Sequence, residues 1–340
     1  MWLKYCCAAV APRALTVTAL LLGPLNAALP AQAQGVLAPA GEIRVEGKVR
    51  DAKQISAVAL SGPWVLFGGD EGRGVQPFRR LGGNRLEAGK MINLVPSGGE
   101  LDVEGIACRG STCYVLGSHA LVRKKLDDDK KQESNRKQLA EVEHEPSRDH
   151  LFRFTLTAEG QASDIRSLNL RQLLSGDRVL GPFTRIPSKE NGFDLEGLAL
   201  VGDDLYVGLR GPVLRGNLTP VIRMQFDRPQ AYEVRYVPLD GLGIRELAPV
   251  SDGFLVIAGP VGDAPLPCLL YHWNGRDGLP GKDAQARVTL LGEFPRVDGG
   301  KAEGMAVLAE TATEYSLLVV FDGAKEGGPT VFKAPKAATE

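Results

Sequence analysis

Three glutamates, each followed by glycine, recur near the start of similar apolar stretches and are the residues best suited to chemistry. They are Glu104, Glu196 and Glu303, and Asp102 and Asp194 stand two residues before the first two. Gathered carboxylates repel one another and need a countercharge. Calcium can supply it with about 6–8 oxygen ligands, arginines can supply it through charge-assisted hydrogen bonds, or the Glu side chains can cap backbone amides. The sequence leaves these three outcomes open.

A second position follows fourteen residues later in four of the similar stretches, and nineteen residues later in the last, where the turn is longer. The first set is Ser56, Glu104, Glu196, Arg245 and Glu303, and the second set is Asp70, Ser118, Arg210, Gly259 and Asp322, with His119 beside Ser118. If each segment is a β-hairpin, the start of its first strand and the end of its second lie at the same end. Both sets are then expected to meet in one place.

The candidate site residues fall into two groups. Glu104, Glu196, Glu303 and Asp322 are candidate metal ligands if a cation such as Ca²⁺ supplies the countercharge, and Asp70, Ser118, His119, Arg210 and Arg245 are candidate ligand-binding residues. No catalytic residue is assigned. Adjacent residues on a strand point to opposite faces, which argues against a Ser118–His119 catalytic dyad.

The elements that must position these residues are repeated hairpins. An apolar strand, a polar turn and a second apolar strand recur in five segments: 54–70, 102–118, 194–210, 243–259 and, with a longer turn, 301–322. Most of the segments begin about 50 residues apart, which is the period of one four-stranded propeller blade. We predict an all-β fold, a β-propeller of five or six four-stranded blades. A sixth, degenerate blade would lie between residues 102 and 194.

The predicted domain organisation has five parts. They are a cleaved signal peptide over residues 1–33, an N-terminal segment over 34–52, the propeller over 53–333 with a charged insertion at 122–149, and a tail over 334–340. The stretch 42–49 is expected to close the ring against residues 330–333, because closure removes exposed strand edges. The insertion has mixed charges and few apolar residues, which is typical of a solvated loop with one helical turn.

The first residues have the pattern of an export signal. Lys4 and Arg13 precede an apolar run over 14–22, and Ala31-Gln32-Ala33 offers small residues for cleavage. The run is shorter than the ~20 residues that span a bilayer. We expect a periplasmic or secreted monomer with no membrane span after cleavage. Its net charge would be −3, since two cations and no acids leave with the signal; this excludes nucleic acid as a partner.

Three cysteines remain after cleavage of the signal. Cys108 and Cys113 flank a predicted hairpin turn, which fits either a cross-hairpin disulfide or two small apolar residues on paired strands. Export would place them where disulfides persist. Cys268 has no evident partner and is expected to be a buried thiol.

Several stretches carry a family resemblance. DVEGIA, YVLGSHA, DLEGLAL, YVGLRGPVL, GLGIRELA, FLVIAGP, LLYHWNG and EGMAV, in this order, resemble the bacterial propeller family called domain of unknown function 3616. The likeness runs from Lys53 to Phe321. DLEGLAL and AEGMAV are also similar to stretches of β-propeller phytases and esterase-like phytases. That resemblance implies calcium bound by Glu104, Glu196, Glu303 and Asp322, an anionic group held by Arg210 and Arg245, and a metal-bound water as nucleophile.

Three hypotheses about function follow. The first is a non-catalytic propeller that binds a small anionic molecule or an envelope partner at the channel mouth. The second is a calcium-dependent phosphoester or ester hydrolase. The third is a structural scaffold without a small ligand. The sequence favours the first of the three.

Overall fold

The computed structural model describes residues 35–336. The predicted signal peptide and the last four residues of the predicted tail lie outside the described residues. Within residues 35–336, strands dominate, and helices are confined to short connecting segments.

The strands form five successive four-stranded blades. Two short strands come first, β1 (Pro39–Glu42) and β2 (Arg44–Glu46). Blade I contains β3 (Ile55–Ser61), β4 (Trp64–Gly69), β5 (Gly74–Arg80) and β6 (Arg85–Ala88), with β7 (Ile92–Asn93) paired to β5. Blade II begins with β8 (Val103–Arg109) and β9 (Thr112–Gly117). The insertion then adds β10 (Leu121–Val122), α1 (Gln132–Ala140), β11 (Glu143–His144) and a 3₁₀ turn (Pro146–Arg148). Blade II ends with β12 (Leu151–Leu156) and β13 (Ala162–Leu168).

A connector with α2 (Leu170–Leu174) and 3₁₀ turns at Gly181–Arg185 and Ser188–Glu190 leads to the remaining blades. Blade III contains β14 (Asp194–Val201), β15 (Asp204–Gly211), β16 (Leu218–Gln225) and β17 (Arg228–Pro238). Blade IV contains β18 (Gly243–Val250), β19 (Gly253–Gly259), β20 (Leu269–Trp273) and β21 (Val288–Glu293). Blade V contains β22 (Lys301–Glu310), β23 (Glu314–Asp322) and, after a 3₁₀ turn (Lys325–Gly327), β24 (Thr330–Pro335).

The predicted propeller is confirmed, and it has five blades. In every blade, the first two strands are the hairpin that the sequence repeat predicted, and the other two strands pair outside it. The interval between residues 102 and 194 holds no sixth blade. It is filled by the insertion, the outer strands of blade II and the connector.

An N-terminal strand closes the ring, as predicted, but it begins earlier than predicted. β1 pairs antiparallel with β24 and completes blade V, with Glu42 opposite Thr330 and Pro39 opposite Phe332. The predicted closing stretch, 42–49, overlaps this strand only at Glu42. Its next part, β2, instead pairs parallel with β6 of blade I. The N-terminal segment therefore covers the outer edges of two neighbouring blades, which removes both edges from solvent.

Five apolar clusters fill the spaces between consecutive blades. Each cluster combines residues of two neighbouring blades. Leu66 and Val115 represent the cluster between blades I and II, and Leu116 and Val207 the one between II and III. The other three clusters are represented by Ala199 and Val256 (III and IV), Leu255 and Leu317 (IV and V), and Phe67 and Val320 (V and I). Inner strands are therefore buried on both faces, as β19 shows, whereas the outer strand β13 is largely exposed. This difference explains why only the inner hairpins were visible as apolar repeats in the sequence.

The cysteines occupy two different environments. Cys108 and Cys113 face each other across the β8–β9 hairpin and are joined by a disulfide. Cys268 is a buried free thiol, and burial raises its pKa to about 11.

The helices of the described chain are all short. Between residues 35 and 336, none has both the length and the apolar character that a membrane crossing requires.

Candidate functional site

Each of the five inner strands carries one extra residue at the same repeat position. In blade II, for example, Val103 lies opposite Gly117 and Gly105 opposite Leu116, which leaves Glu104 unpaired. The five unpaired residues are Ser56, Glu104, Glu196, Arg245 and Glu303, which form the first predicted set. A β-bulge bends its strand and re-aims a side chain. Four of these five side chains line the channel mouth; Ser56 does not.

The glycines that follow the glutamates allow neighbouring blades to approach closely. A Cβ atom on Gly105 would lie 2.7 Å from the Cβ of Leu198 in blade III, and one on Gly304 would lie 2.7 Å from the backbone oxygen of Ser56 in blade I. Such contacts are too short for a larger residue. The Glu-Gly pairs therefore serve both the site and the packing of the ring.

The channel mouth is a cavity of about 530 Å³ with a strongly charged floor. Seven carboxylates and three arginines contribute to that floor: Asp70, Asp102, Glu104, Asp194, Glu196, Glu303, Asp322, Arg148, Arg210 and Arg245. Seven of the nine residues predicted from the sequence are among them. Ser118 and His119 lie outside the lining.

All three arginines are already paired with carboxylates. Arg210 contacts Asp194 and lies 2.7 Å from an oxygen of Glu196. Arg245 lies 3.3 Å from Glu196 and 3.0 Å from Glu303. It also donates a 3.0 Å hydrogen bond to the carbonyl of Pro260. Burial nevertheless raises the pKa of Glu196 to about 8, against the opposing effect of Arg210 and Arg245.

The third arginine comes from outside the repeat. Arg148 ends the 3₁₀ turn after the insertion, contacts Glu100 and lies 3.2 Å from Asp102. Burial raises the pKa of Asp102 to about 6, although Arg148 opposes this shift.

The remaining carboxylates cluster around Asp70. Oxygens of Asp70, Glu303 and Asp322 lie within 4.8 Å of one another, and so do oxygens of Asp70, Asp102 and Glu104. Oδ1 of Asp70 is buried and has no hydrogen-bond partner within residues 35–336. Burial, followed by the charge of Glu303, raises the pKa of Asp70 well above its usual range. Burial, followed by the charge of Glu196, does the same to the pKa of Glu104.

The insertion forms a roof over this floor. Val122, Arg123, Lys124, Lys125, Leu126 and Leu139 line the cavity from above. Arg123 holds the roof to the propeller through a 3.2 Å hydrogen bond to Glu190. The insertion is largely exposed, as predicted, and α1 has no buried residue. It differs from the prediction in that α1 is nine residues long and part of the insertion lines the mouth.

Ser118 and His119 have structural contacts instead. The ring of His119 is fully buried, with Nδ1 2.7 Å from the carbonyl of Gly117, and Nε2 accepts the N–H of Leu170 at 3.1 Å. The Oγ of Ser118 accepts the N–H of Ala120 at 3.3 Å. Neither contact joins the hydroxyl to the imidazole, so the two side chains form no catalytic dyad.

The buried imidazole predicts an acid-sensitive contribution to stability. Burial lowers the pKa of His119 to about 4, so the folded protein keeps the ring neutral while the unfolded chain protonates near pH 6.5. This contribution is present above pH 6.5 and is lost as the pH falls toward 4. It amounts to about 3 kcal/mol. Asn tolerates the positive φ at this position. Between pH 7 and pH 4, the unfolding free energy of His119→Asn should therefore fall by that much less than the unfolding free energy of the wild-type protein. Urea unfolding of both proteins across this range measures it; equal losses would contradict it.

Sequence reasoning missed the cationic residues that lie outside the hairpins. These are Arg148, Arg123, Lys124, Lys125 and Lys189, while Lys301 lies at the start of the blade V hairpin but was not singled out. The first five belong to the insertion and the connector, which repeat nowhere else in the chain. The one feature of the sequence that could have indicated these residues is the high density of Lys and Arg after Leu121. Such a density is equally typical of a solvated loop.

Comparisons with known proteins give similar folds but little more. A streptogramin B lyase structure aligns with 8% identity over 87% of this chain and 97% of its own, at a TM-score of 0.37. A GH43 β-1,3-galactosidase aligns with 9% identity over 89% of this chain and 60% of its own, at a TM-score of 0.47. A hypothetical protein from Leishmania major aligns with 11% identity over 88% and 91%, at a TM-score of 0.42. At TM-scores below 0.5, we base no argument on these likenesses.

Comparison at the level of sequence is more specific. No curated protein matches the chain. A family model described as "protein of unknown function (DUF3616)" matches residues 54–329, which cover all five inner hairpins. The resemblance seen in the sequence is therefore confirmed, and the chain belongs to the DUF3616 family.

Proposed function

We propose that this propeller binds a small anionic ligand at the channel mouth by way of a divalent cation, with Ca²⁺ as the first candidate. The observation that carries the proposal is a local group of carboxylates that lack a cationic partner. Asp70 belongs to both carboxylate triads, and within residues 35–336 no Lys or Arg lies within ion-pair distance of Asp70, Glu104 or Asp322, in contrast to Glu196 and Glu303.

The pairing of the arginines indicates that the mouth binds a cation directly and an anion only through that cation. Arg245 is already paired with Glu196 and Glu303 and hydrogen-bonded to the carbonyl of Pro260, and Arg210 is paired with Asp194 and Glu196. An anion bound directly to either guanidinium would displace a buried carboxylate and leave it unpaired, which costs several kcal/mol. A cation bound at Asp70 would instead relieve the repulsion among the carboxylates.

The residues present fit a calcium ion. Calcium lies about 2.3–2.6 Å from each oxygen ligand, so two ligands of one ion are at most about 5 Å apart. The oxygens of each triad satisfy this limit. One further observation supports a cation here: Oδ1 of Asp70, the residue that both triads share, is buried without a hydrogen bond in the described chain.

The proposed ligand set differs in part from the sequence prediction. Glu104, Glu303 and Asp322 remain candidate ligands, and Asp70 and Asp102 join them. Glu196 is better suited to holding Arg210 and Arg245 in place, because both guanidiniums contact it.

The anionic ligand would lie between the cation and the roof. Lys125 of the insertion and Lys301 of β22 both line the cavity, and within residues 35–336 neither is within ion-pair distance of a carboxylate. By contrast, Lys189 is paired with Asp263 at 2.7 Å. Lys301 lies opposite Asp322 in the β22–β23 pair, and Lys125 belongs to the insertion, so the two ammonium groups supply positive charge next to one triad and from the roof.

Calorimetric titration of Ca²⁺ into chelator-treated, desalted protein tests the proposal, with Mg²⁺ titrated in parallel. We expect saturable Ca²⁺ binding and weaker binding of Mg²⁺, which demands near-ideal octahedral geometry and gives up its water reluctantly. Absence of heat and of any thermal shift at millimolar Ca²⁺ would sink the proposal.

Hydrolysis is the second candidate function. It is favoured by one observation: the proposed cation ligands and the two unpaired lysines line the same cavity, where a phosphoester could be held at both ends. A bound divalent ion polarises such a group and lowers the pKa of water. Release of nitrophenol from p-nitrophenyl phosphate and p-nitrophenyl acetate, with Ca²⁺ and with chelator, tests it. Equal rates in both conditions would leave only the binding function.

We also propose that the protein is exported. The disulfide between Cys108 and Cys113 supports this, because such bonds persist in oxidising compartments. N-terminal sequencing of the mature chain would contradict the proposal if it began at Met1 rather than near Gln34.

A further inference from the structure

Glu246 occupies a position that small residues occupy in the other four blades. It directly follows the bulged residue of β18, and the equivalent residues are Ala57, Gly105, Gly197 and Gly304. Its side chain is 1% exposed. Among the five inner strands, blade IV alone has a long side chain at this position.

Backbone donors from two inner strands converge on the Glu246 carboxyl group. Oε1 accepts the N–H of Leu247 at 2.8 Å and the N–H of Leu198, from blade III, at 3.1 Å. Met305 is the corresponding residue of blade V. These three residues hold the same repeat position, directly after the small residue or Glu246. At a bulge the ladder is locally disrupted, and buried N–H groups need a partner from elsewhere.

An apolar cavity of about 170 Å³ lies beside these donors, and Leu198, Leu247 and Met305 line it with residues of the other inner strands. Glu246 lines neither this cavity nor the acidic mouth.

We propose that the inner strands form a binding site for a small anion such as formate or chloride from the backbone N–H groups of Leu198 and Leu247, and that the Glu246 carboxyl group fills it. Convergent backbone N–H groups are a recurring way to bind anions. The Glu246 carboxyl group does not fit the site completely: only one of its oxygens is hydrogen-bonded, and Oε2 is buried with no hydrogen-bond partner in the described chain. This inference does not depend on the cation proposed for the mouth.

Vacating the site tests the proposal. Glu246→Ala would leave two buried N–H groups without an acceptor, and we expect the thermal midpoint to fall by roughly 3–10 °C. Sodium formate should then raise the midpoint of the variant saturably at millimolar concentrations. Sodium gluconate, whose anion is too large for the site, keeps the ionic strength constant. The wild-type protein should not respond to formate. An equal response of both proteins, or an unchanged midpoint in the variant, would overturn the proposal.

A second pair of variants covers the case in which Glu246→Ala does not fold. Glu246→Gln keeps an acceptor oxygen for the N–H groups of Leu198 and Leu247, whereas Glu246→Leu fills a similar volume and accepts nothing. We expect the Gln variant to have the higher thermal midpoint. A Leu variant as stable as the Gln variant would show that Glu246 only fills space.

Discussion

We expect Asp70→Asn to abolish the stabilisation that Ca²⁺ gives to the purified protein. At a free Ca²⁺ concentration about 100 times the Kd, binding stabilises the wild-type protein by about 2.7 kcal/mol, or roughly 5–10 °C in thermal midpoint for a chain of this size. Asp70 belongs to both carboxylate triads. Its replacement therefore removes one charged ligand from either possible position of the ion.

The behaviour of this variant without Ca²⁺ separates a ligand role from a structural one. Asn removes a negative charge from a group of carboxylates that repel one another, so the metal-free variant should be at least as stable as the metal-free wild type. Differential scanning calorimetry with Ca²⁺ and with chelator measures both quantities. If Asp70→Asn unfolds at a much lower temperature in chelator, Asp70 is a structural residue and the proposed ion site is wrong.

Asp263→Asn is the matched control. Asp263 lines the same cavity but lies at its rim, where it pairs with Lys189 and belongs to neither triad. The Ca²⁺ response of this variant should equal that of the wild type. A loss as large as that of Asp70→Asn would mean that the response reports the overall negative charge of the mouth rather than a defined site.

Arg210→Ala should destabilise the protein by about 3–5 kcal/mol, because it leaves buried carboxylates without their partner. Asp194 is 0% exposed and Glu196 is 2% exposed, and Arg210 contacts both. Arg245 still contacts Glu196 in this variant, so the larger part of the loss should come from Asp194. Urea unfolding at pH 7 measures the change in free energy.

Lys189→Ala is the control for this prediction. The pair of Lys189 with Asp263 is exposed, with 58% and 65% of the two side chains accessible, so its removal should cost less than about 1 kcal/mol. A double variant, Arg210→Ala with Asp194→Asn, should recover part of the lost stability, because no ionised Asp194 remains unpaired. If Arg210→Ala costs no more than Lys189→Ala, the arginine is not a necessary partner of these carboxylates.

Most of the site could be predicted because the repeat places equivalent residues at equivalent positions. Glu104, Glu196 and Glu303 were found this way, and each proved to be the extra residue of a bulge. Ser118 and His119 depart from the pattern because β9 ends at Gly117 and His119 has a positive φ of 53°. The chain therefore turns away from the mouth one residue before the position that Arg210 occupies within β15.

The roof and the axis could not be predicted in this way. The insertion is polar and occurs once, and nothing in its residue pattern indicates that Arg123 reaches Glu190, 67 residues later. Glu246 appeared in the sequence only as the residue after Arg245, in a place where other blades have glycine or alanine. Glu246 accepts hydrogen bonds from Leu198 and Leu247, and the one from Leu198 of blade III forms only because the inner strands of different blades lie close together. The sequence of a single hairpin does not reveal that distance.

The sequence by itself determined the all-β propeller, the five inner hairpins and the end at which their polar residues meet. It could do so because these strands are buried on both faces and their apolar pattern is local. The tertiary structure alone decided that there are five blades, that Arg210 and Arg245 are held by Asp194, Glu196 and Glu303, and that Asp70 is left as the centre of the unpaired carboxylates. The physical reason is that ion pairing depends on distances of a few ångströms. Arg210 pairs within its own hairpin, but the contacts of Arg245 and the triads of Asp70 join different blades, and ring closure sets those distances.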